Sequence, residues 1–565
     1  MDKKTKQGIT RRSFLKGTTA GVGIIAATGT ELFVKDKAIA QSTSSAPQKK
    51  FSFETPPASI PESSIKEKIT SDIVIIGAGV SGITASLSAV EAGCKPIIIE
   101  KHTTYNTRGG DNAAIDSRLQ KKLGIKIDKD EAILELMKYG GNKIDQRLLR
   151  LWANNSGKIM DWMMDMTDAA GLETTIRFWP QRKGVDESKE YYKEFTVIHN
   201  FTDLQPGLMK VLVENAIKKG VDIRYNTRAV QLVRNGNGRV TGVIAKDKDE
   251  RYVQYNARKA VILCTGEYGH DEEMMEKYCP WAAEVAKKSN IYDPPVNTGD
   301  GHKMAMWIGG IMEPWPHAPV DHTSGGPMGC DPFLHVNTLG ERYENEDVPC
   351  QSLSNSLKRQ PGQTFWQVYD SKYKDEKSKM GIGFLKSSDP RSMAGGGQDG
   401  APQGGAPVAG ATVALGGAPS EGGRSGGPPS GNNVQADTIE ELAKKMNVPV
   451  DTFKATIARY NELAKSGKDL DFGKRADRLT TIEKPPFYAG TAVVGFLVVV
   501  GGLYVNPKLQ LLDADRKVIP GIYLAGNTVG NRFANDYPTI CPGLSHAFAW
   551  TTGYLAGKNA VADKA

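Results

Sequence analysis

The sequence predicts an α/β fold, and three stretches carry that expectation. An apolar run of strand length, Ile73-Val74-Ile75-Ile76, ends in the glycine turn Gly77-Ala78-Gly79-Val80-Ser81-Gly82, after which small and apolar residues recur at helical spacing to Gly93. A second apolar run, Pro96-Ile97-Ile98-Ile99, ends at Glu100. A third, Ala260-Val261-Ile262-Leu263-Cys264, runs into a further turn at Thr265-Gly266.

The first turn has a chemical use. Gly77 permits the sharp bend, Gly79 lets the backbone approach a phosphate with no Cβ in the way, and Gly82 lets the helix pack closely on the strand. The helix N-terminus offers unpaired N–H groups and partial positive charge to an anion. Glu100 arrives where a ribose 2′-OH lies when such a turn holds a pyrophosphate, so the pattern predicts a dinucleotide with an unphosphorylated adenosine ribose.

A chain of 565 residues can bury a large core and suggests more than one domain. Lysine plus arginine exceeds aspartate plus glutamate by 8. The excess is spread along the chain without a basic block beyond the N-terminus, so no nucleic-acid partner is expected. The N-terminus reads as a targeting segment over residues 1–40. Thr10-Arg11-Arg12-Ser13-Phe14-Leu15-Lys16 matches the twin-arginine pattern, and Ala38-Ile39-Ala40 gives a small-x-small cleavage site before Gln41. The weakly apolar run from Gly17 to Phe33 is short and carries Thr and Gly, which favours an export signal over a membrane anchor. Export of a folded, cofactor-loaded protein by the twin-arginine machinery is therefore expected, to the periplasm or the outer face of the cytoplasmic membrane.

The 6 cysteines and 8 histidines show no CxxC, CxxCH or metal-ligand spacing, so no haem, cluster or metal site is expected. Residues 41–68 are polar and rich in Ser, Pro and Lys, a flexible lead-in. Thr107-Arg108-Gly109-Gly110-Asp111-Asn112-Ala113-Ala114 forms a second glycine turn that can approach the cofactor. Helical patterns cover Arg147 to Met166 and Pro206 to Lys219, and Val221 to Tyr255 reads as a β-meander turning at Asn235-Gly236-Asn237-Gly238. Residues 394–433 hold 14 glycines among Ala, Pro and Ser, too few large apolar residues to offset their ordering entropy, and read as a disordered insert. Thr438-Ile439-Glu440-Glu441 opens a helix with a capping-box pattern. Val493 to Val500 has the length of a buried strand rather than a membrane span, and Gly543 to about Ala560 forms the last helix.

From Ser71 to the end the motifs resemble the fumarate reductase/succinate dehydrogenase flavoprotein family, which also contains 3-ketosteroid dehydrogenases and urocanate reductase. The residues that carry the resemblance are the glycine turn with Glu100, Val261 to Gly269, Asn297-Thr298-Gly299-Asp300-Gly301, Asn337 to Glu346, Pro485 to Ala489, Gly501-Gly502-Leu503 and Ile519 to Asn527. The resemblance implies FAD, held in a Rossmann-like domain of glutathione-reductase type built from 69–312 and 488–565, with an α+β cap domain inserted at 313–487. It implies FAD contacts at Gly77, Gly79, Ser81, Gly82, Glu100, Lys101, Thr107, Gly109, Gly110, Val230, Thr265, Gly266, Asp300, Asn527, Leu544 and Ser545.

The family's reaction exchanges a hydride between flavin N5 and one carbon of an activated C=C or CH–CH unit, and a protein acid or base serves the adjacent carbon. Fumarate-reducing members place an arginine acid where this chain has Cys350, after Asn345-Glu346. The ketosteroid branch has a tyrosine there, after a proline, and Pro349-Cys350 is closer to that pattern. The dicarboxylate clamps also lack matches: the Thr-Glu pair maps near Gly329-Cys330, the histidine near Leu497, and the second arginine has no counterpart in Tyr537 to Gly543. His317 matches either a family active-site histidine or a structural one. Tyr537 and the Gly543 N–H resemble the pair that holds a substrate carbonyl in the ketosteroid enzymes, with two extra residues between them. Tyr191-Tyr192 falls where those enzymes carry another active-site tyrosine, or is a half-buried aromatic pair.

The resemblance thus implies an exported FAD-dependent reductase of a C=C bond conjugated to a carbonyl, acting on an enone or unsaturated acid. Cys350 would be the proton donor, with Tyr343, Tyr192 or water as alternatives, and Tyr537, Gly543 and Tyr192 would complete the catalytic set. With no haem or flavin-carrier motif visible, a cytochrome or flavin carrier protein is expected to deliver electrons. The rival readings are a ketosteroid-type dehydrogenase running the reverse reaction, a fumarate- or urocanate-like carboxylate reductase, and an electron-transfer flavoprotein without substrate chemistry.

Overall fold

The computed structural model describes residues 50–179, 183, 190–289, 296–314, 316–324, 327–380 and 433–563. The expected signal peptide and, Asn433 apart, the glycine-rich insert lie outside the described residues. From Phe53 onward the described residues belong to one compact unit.

Along the chain the strands are β1 (Ile65–Ile76), β2 (Pro96–Ile99), β3 (Asn112–Ala113), β4 (Thr174–Ile176), β5 (Ile198–Phe201), β6 (Asp222–Arg224), β7 (Arg228–Arg234) and β8 (Val240–Lys246). They continue as β9 (Tyr252–Leu263), β10 (Pro319–Ser324), β11 (Leu334–Val336), β12 (Thr364–Asp370), β13 (Asn433–Ala436), β14 (Phe487–Val499), β15 (Gln510–Leu512) and β16 (Val518–Leu524). An eight-stranded sheet has the order β15-β16-β9-β1-β2-β6, with β7 and β8 joined to β9 as a meander. β1 pairs in parallel with β2 and β9, and β9 with β16. This mixed sheet with a parallel centre is the α/β fold the glycine turns predict. The inner half of β1, Ile73 to Ile76, is buried on both faces, which explains its uninterrupted apolar run.

The helices that cover this centre are rich in small residues for a packing reason. On the first, Val80–Glu91, every residue from Ser81 to Ala89 is buried. It lies against the last helix, Leu544–Val561, where a Cβ on Gly553 would stand 2.3 Å from Ser81 O and one on Gly557 2.3 Å from Ala85 O. Two backbones this close leave no room for larger side chains.

A five-stranded sheet, β10-β14-β12-β11 with β13 on β14, forms a second layer, and β3-β5-β4 a small third one. Three boundaries differ from the sequence expectation. Ile65 to Lys68, expected in the flexible lead-in, already belong to β1 and pair with Tyr252 to Gln254 of β9. β6 leaves the expected meander and pairs in parallel with β2. β14 starts at the expected 487/488 boundary yet pairs with β10, β12 and β13, so this strand is the spine of the second sheet and the eight-stranded sheet resumes only at β15. A long apolar strand satisfies its backbone and both faces best with neighbours on each side. The expected helices at 147–166, 206–219 and 543–560 are found at Gln146–Ala169, Leu204–Lys218 and Leu544–Val561, and Thr438 caps the helix Ile439–Met446 by accepting the Glu441 N–H. No helix among the described residues is long and apolar enough to cross a membrane.

Candidate active site and cofactor cradle

Strand register brings the cradle together. Ile76 of β1 lies opposite Ile99 of β2 and Leu263 of β9, and Leu263 opposite Leu524 of β16. The turns at Gly77, Glu100, Thr265-Gly266 and Gly526-Asn527 therefore leave the sheet at one edge, the carboxyl end at which open parallel sheets bind ligands.

The three glycines of the first turn serve different ends. Gly77 has φ +105°, and a Cβ there would stand 2.3 Å from Cys264 O. A Cβ on Gly82 would stand 1.9 Å from Gly77 O, so both positions are demanded by the fold. A Cβ on Gly79 would meet nothing within 4 Å, so this position is open for a ligand to approach. Glu100 is buried beside the turn, where Oε2 accepts the Ala78 N–H (2.8 Å) and Oε1 the His102 N–H (3.0 Å). Thr107 is buried, and its Oγ1 has no hydrogen-bond partner, the condition a bound ligand relieves. An open glycine turn, a fixed carboxylate and an orphaned hydroxyl at one sheet edge fit the phosphates and ribose of a dinucleotide.

The other predicted cradle residues are placed as follows. Ser81 lies in the first helical turn, and its hydroxyl hydrogen-bonds the Cys264 thiol. Lys101 Nζ reaches Asp300 Oδ2 (3.0 Å) and Thr298 Oγ1 (2.9 Å). Gly109 packs under the His546 ring and Gly110 against Leu204, each too close for a relaxed Cβ. Val230 occupies a bulge between Ala229 and Gln231 of β7. Thr528 Oγ1 joins Thr265 Oγ1 (3.3 Å) and the Gly266 carbonyl (3.2 Å). Asn527 Oδ1 accepts from Ser545 Oγ (3.3 Å), and Leu544 and Ser545 open the last helix.

The catalytic candidates gather near that helix N-terminus. Tyr537 is buried, and its OH accepts the Ser545 N–H at 3.2 Å. Burial pushes its pKa up, so the phenol stays protonated and able to donate. Gly543, φ +81°, packs on the Asp111-Asn112 backbone, where a Cβ would come within 2.8 Å. Cys350 opens the helix Cys350–Leu357; its Sγ lies 3.4 Å from His322 Nδ1 and hydrogen-bonds the Cys330 thiol. That bond and burial push the Cys350 thiol well up, while burial holds His322 down to about 4, so the imidazole is neutral. Tyr192 is half-buried in the field of Asp347, and Tyr191 is 60% exposed with the Arg475 guanidinium over its ring, so the two are not an inward pair. His317 takes the structural role: its ring bonds Tyr268 OH and the Glu313 carbonyl and stacks on Tyr278. Tyr343 is half-buried beside Glu344, with its hydroxyl buried.

Several residues join the site that sequence patterns did not reveal. Asp111 Oδ2 pairs with Arg177 Nη1 at 2.7 Å, and Asn200 Nδ2 donates to Asp111 Oδ1 at 3.0 Å. Tyr139 hydrogen-bonds Ser352 and lies in the fields of Asp536, Cys350 and Tyr192. Glu313 accepts the Gly502 and Asn531 N–H groups, both at 2.9 Å, and burial pushes its carboxyl up to about 7. Each stands on a different element with no shared spacing. The one available signal was Asp111's place in the second glycine turn.

The fold and this cradle define a dinucleotide-binding flavoprotein. A family model for an FAD binding domain matches residues 72–539, and the chain belongs to that family; it is an FAD-dependent oxidoreductase. Among similar proteins, a probable fumarate reductase Ifc3 of Shewanella frigidimarina is 28% identical over 87% of this chain and 75% of its own length. A vinyl phenol reductase of Lactiplantibacillus plantarum is 27% identical over 86% and 96%, and a 3-oxosteroid 1-dehydrogenase of Mycolicibacterium smegmatis 26% over 87% and 98%. The fold is shared with the open conformation of a flavocytochrome c3 fumarate reductase (TM-score 0.62, 23% identity, 91% of this chain and 82% of that one). It is also shared with a 3-ketosteroid-Δ4-(5α)-dehydrogenase of Rhodococcus jostii (TM-score 0.64, 20% identity, 88% and 99%).

Proposed function

We propose that this FAD-dependent oxidoreductase, of the class acting on C=C and CH–CH bonds, reduces a C=C bond conjugated to a carbonyl in a neutral or mono-anionic substrate. The protein is exported by its twin-arginine segment and takes electrons from a separate donor, a cytochrome or flavin carrier. Relatives are named for reducing fumarate, vinyl phenol and urocanate and for dehydrogenating 3-oxosteroids. Bound FAD supplies the hydride.

The observation that carries the reading is the hydrogen bond from the Ser545 N–H to Tyr537 OH at the head of the last helix. An acceptor bond from a helix N-terminus draws charge from the phenol oxygen and strengthens its donation to a substrate carbonyl. The Gly543 N–H is the second donor to that oxygen. Cys350 Sγ gives its proton to the carbon next to the one that takes the hydride, and its partners Cys330 and His322 hold the thiol in place. The same groups serve the reverse dehydrogenation of a cyclic ketone, and a 3-oxosteroid 1-dehydrogenase that the chain matches over 98% of its length favours that as the second reading.

The test is anaerobic single turnover of dithionite-reduced protein with benzylideneacetone, cinnamate and fumarate, read as flavin reoxidation. The enone should reoxidise the flavin fastest and fumarate slowest. Tyr537→Phe should slow the enone reaction by about 10²–10³-fold with FAD retained. Fumarate as fast as the enone would refute the selectivity, and reoxidation no faster than in buffer alone would leave an electron-transfer flavoprotein.

A further inference from the structure

We propose that Arg532 is a positioning residue of the cofactor cradle: it turns the Asn527 side chain so that the amide nitrogen donates to the FAD. The inference concerns cofactor retention and stands apart from the substrate assigned above.

Arg532 is a cation with no exposed surface, and its guanidinium lies over the Phe533 and Phe548 rings at 5.0 and 5.4 Å. Burial lowers its pKa to about 10, so it stays charged at neutral pH. Glu313, whose charge acts on it, spends its carboxylate on the Gly502 and Asn531 N–H groups. The guanidinium instead bonds three neutral oxygens. Nε donates to the Val529 carbonyl at 2.7 Å, and Nη2 donates to the Val500 carbonyl at 3.1 Å and to Asn527 Oδ1 at 3.2 Å.

The third of these bonds fixes the direction of an amide. A guanidinium donates and never accepts, so the Asn527 atom that it meets must be the oxygen. Ser545 Oγ donates to the same oxygen at 3.3 Å. With Oδ1 held by two donors, Nδ2 lies on the other side of the planar amide and is left for a ligand. The charge-assisted bond also draws electrons from the amide and strengthens its N–H as a donor.

Asn527 stands where such a donor is useful. The residues on either side of it are buried against the two turns of the cradle. A Cβ on Gly526 would stand 2.9 Å from Ser81 Oγ in the first turn, and Thr528 Oγ1 bonds Thr265 Oγ1 and the Gly266 carbonyl in the other. Of the three, Asn527 is the half-exposed one. Arg532 does not reach a ligand itself: its side chain is enclosed, and among the described residues its buried Nη1 has no hydrogen-bond partner. It acts through Asn527.

A purely structural Arg532, tying the segment after β16 to the Val500 carbonyl, makes a different forecast: its loss weakens FAD retention whatever residue stands at 527. The two are separated by the rate at which the oxidised holoenzyme releases FAD on dilution, read by the fluorescence of free FAD. R532M and N527A should each speed release by about tenfold, and the double variant should release FAD no faster than N527A. R532K, which keeps a cation that only donates, should stay within about threefold of wild type. N527D keeps an oxygen for Arg532 but has no N–H to offer, and should release FAD at least as fast as N527A. Where R532M gives no folded holoenzyme, R532Q takes its place in both backgrounds. Release unchanged by loss of the guanidinium, factors that multiply in the double variant, or wild-type retention in N527D each overturns the proposal.

Discussion

Cys350 meets two polar side chains at its thiol, Cys330 and His322, and neither is charged, while the Gln351 N–H also bonds the sulfur: the Cys330 bond and burial push the thiol up, and burial keeps the imidazole neutral. A thiol in this setting stays protonated beyond the usual range, so as a donor it is loaded at every pH at which the enzyme works. The reduction rate should therefore be flat across about pH 6–8 and fall only in the alkaline range, above the ordinary thiol pKa of about 8.5. Cys350→Ala should keep FAD and its reduction by dithionite yet lose substrate turnover by about 10²–10⁴-fold, with Cys350→Ser less affected. Near-normal single turnover in the alanine variant would move the acid role to Tyr192 or Tyr139. The position of Cys350 was legible because a sequence motif fixes its distance from Asn345-Glu346. His322 was not, since β10 meets the helix Cys350–Leu357 only in the folded chain.

At the scale of elements, the turn between β1 and the first helix separates what the fold requires from what the ligand requires. Gly82 faces the Gly77 carbonyl, so Gly82→Val should lower the melting temperature and lose FAD together. Gly79 faces open space, so Gly79→Val should leave the apo-protein folded by circular dichroism and thermal melting while the yellow flavin is lost, because the side chain fills the phosphate approach. Full flavin content in Gly79→Val, or equal destabilisation by both changes, would show that the turn does not hold the cofactor. The last helix combines two roles on one element. Its glycines seat it on the first helix, and its N-terminal Ser545 N–H is aimed at Tyr537. Tertiary packing of that helix thus fixes a proposed catalytic group that local sequence could only nominate.

For the whole molecule, Asp536 joins the helix Cys350–Leu357 to the C-terminal segment. Its Oδ1 accepts Gln351 Nε2 and its Oδ2 accepts Asn355 Nδ2, both at 3.0 Å, and the helix end is tied again by the buried ion pair of Lys358 with Asp321. Gln351 adjoins Cys350 and Asp536 adjoins Tyr537, so one junction sets the spacing of the two proposed catalytic groups. Asp536→Ala removes the acceptor of Asn355 Nδ2 and of the Tyr537 N–H and leaves Gln351 Nε2 only the Pro319 carbonyl, and should cost about 1–3 kcal/mol for each donor left buried without a partner. The expected outcome is a lower melting temperature and slower single turnover with FAD still bound. An unchanged rate would mean that the junction does not position Cys350 against Tyr537.

The sequence by itself determined the α/β class, the glycine turn after β1, the terminal carboxylate of β2 and the helices around them. These are local patterns: an apolar run, a glycine spacing and a helical period each act within a few residues of the backbone they shape. The same logic reads 394–433 as a disordered insert, a stretch that, Asn433 apart, lies outside the described residues. Only the tertiary structure decided that β14 is the spine of the second sheet, that β6 leaves the meander for β2, and that Ile65 to Lys68 are strand. It alone brought Asp111 to Arg177 and Cys350 to His322 and Cys330. Pairing partners and side-chain neighbours are chosen by the packing of elements far apart in the chain, and no periodicity within either partner encodes the other.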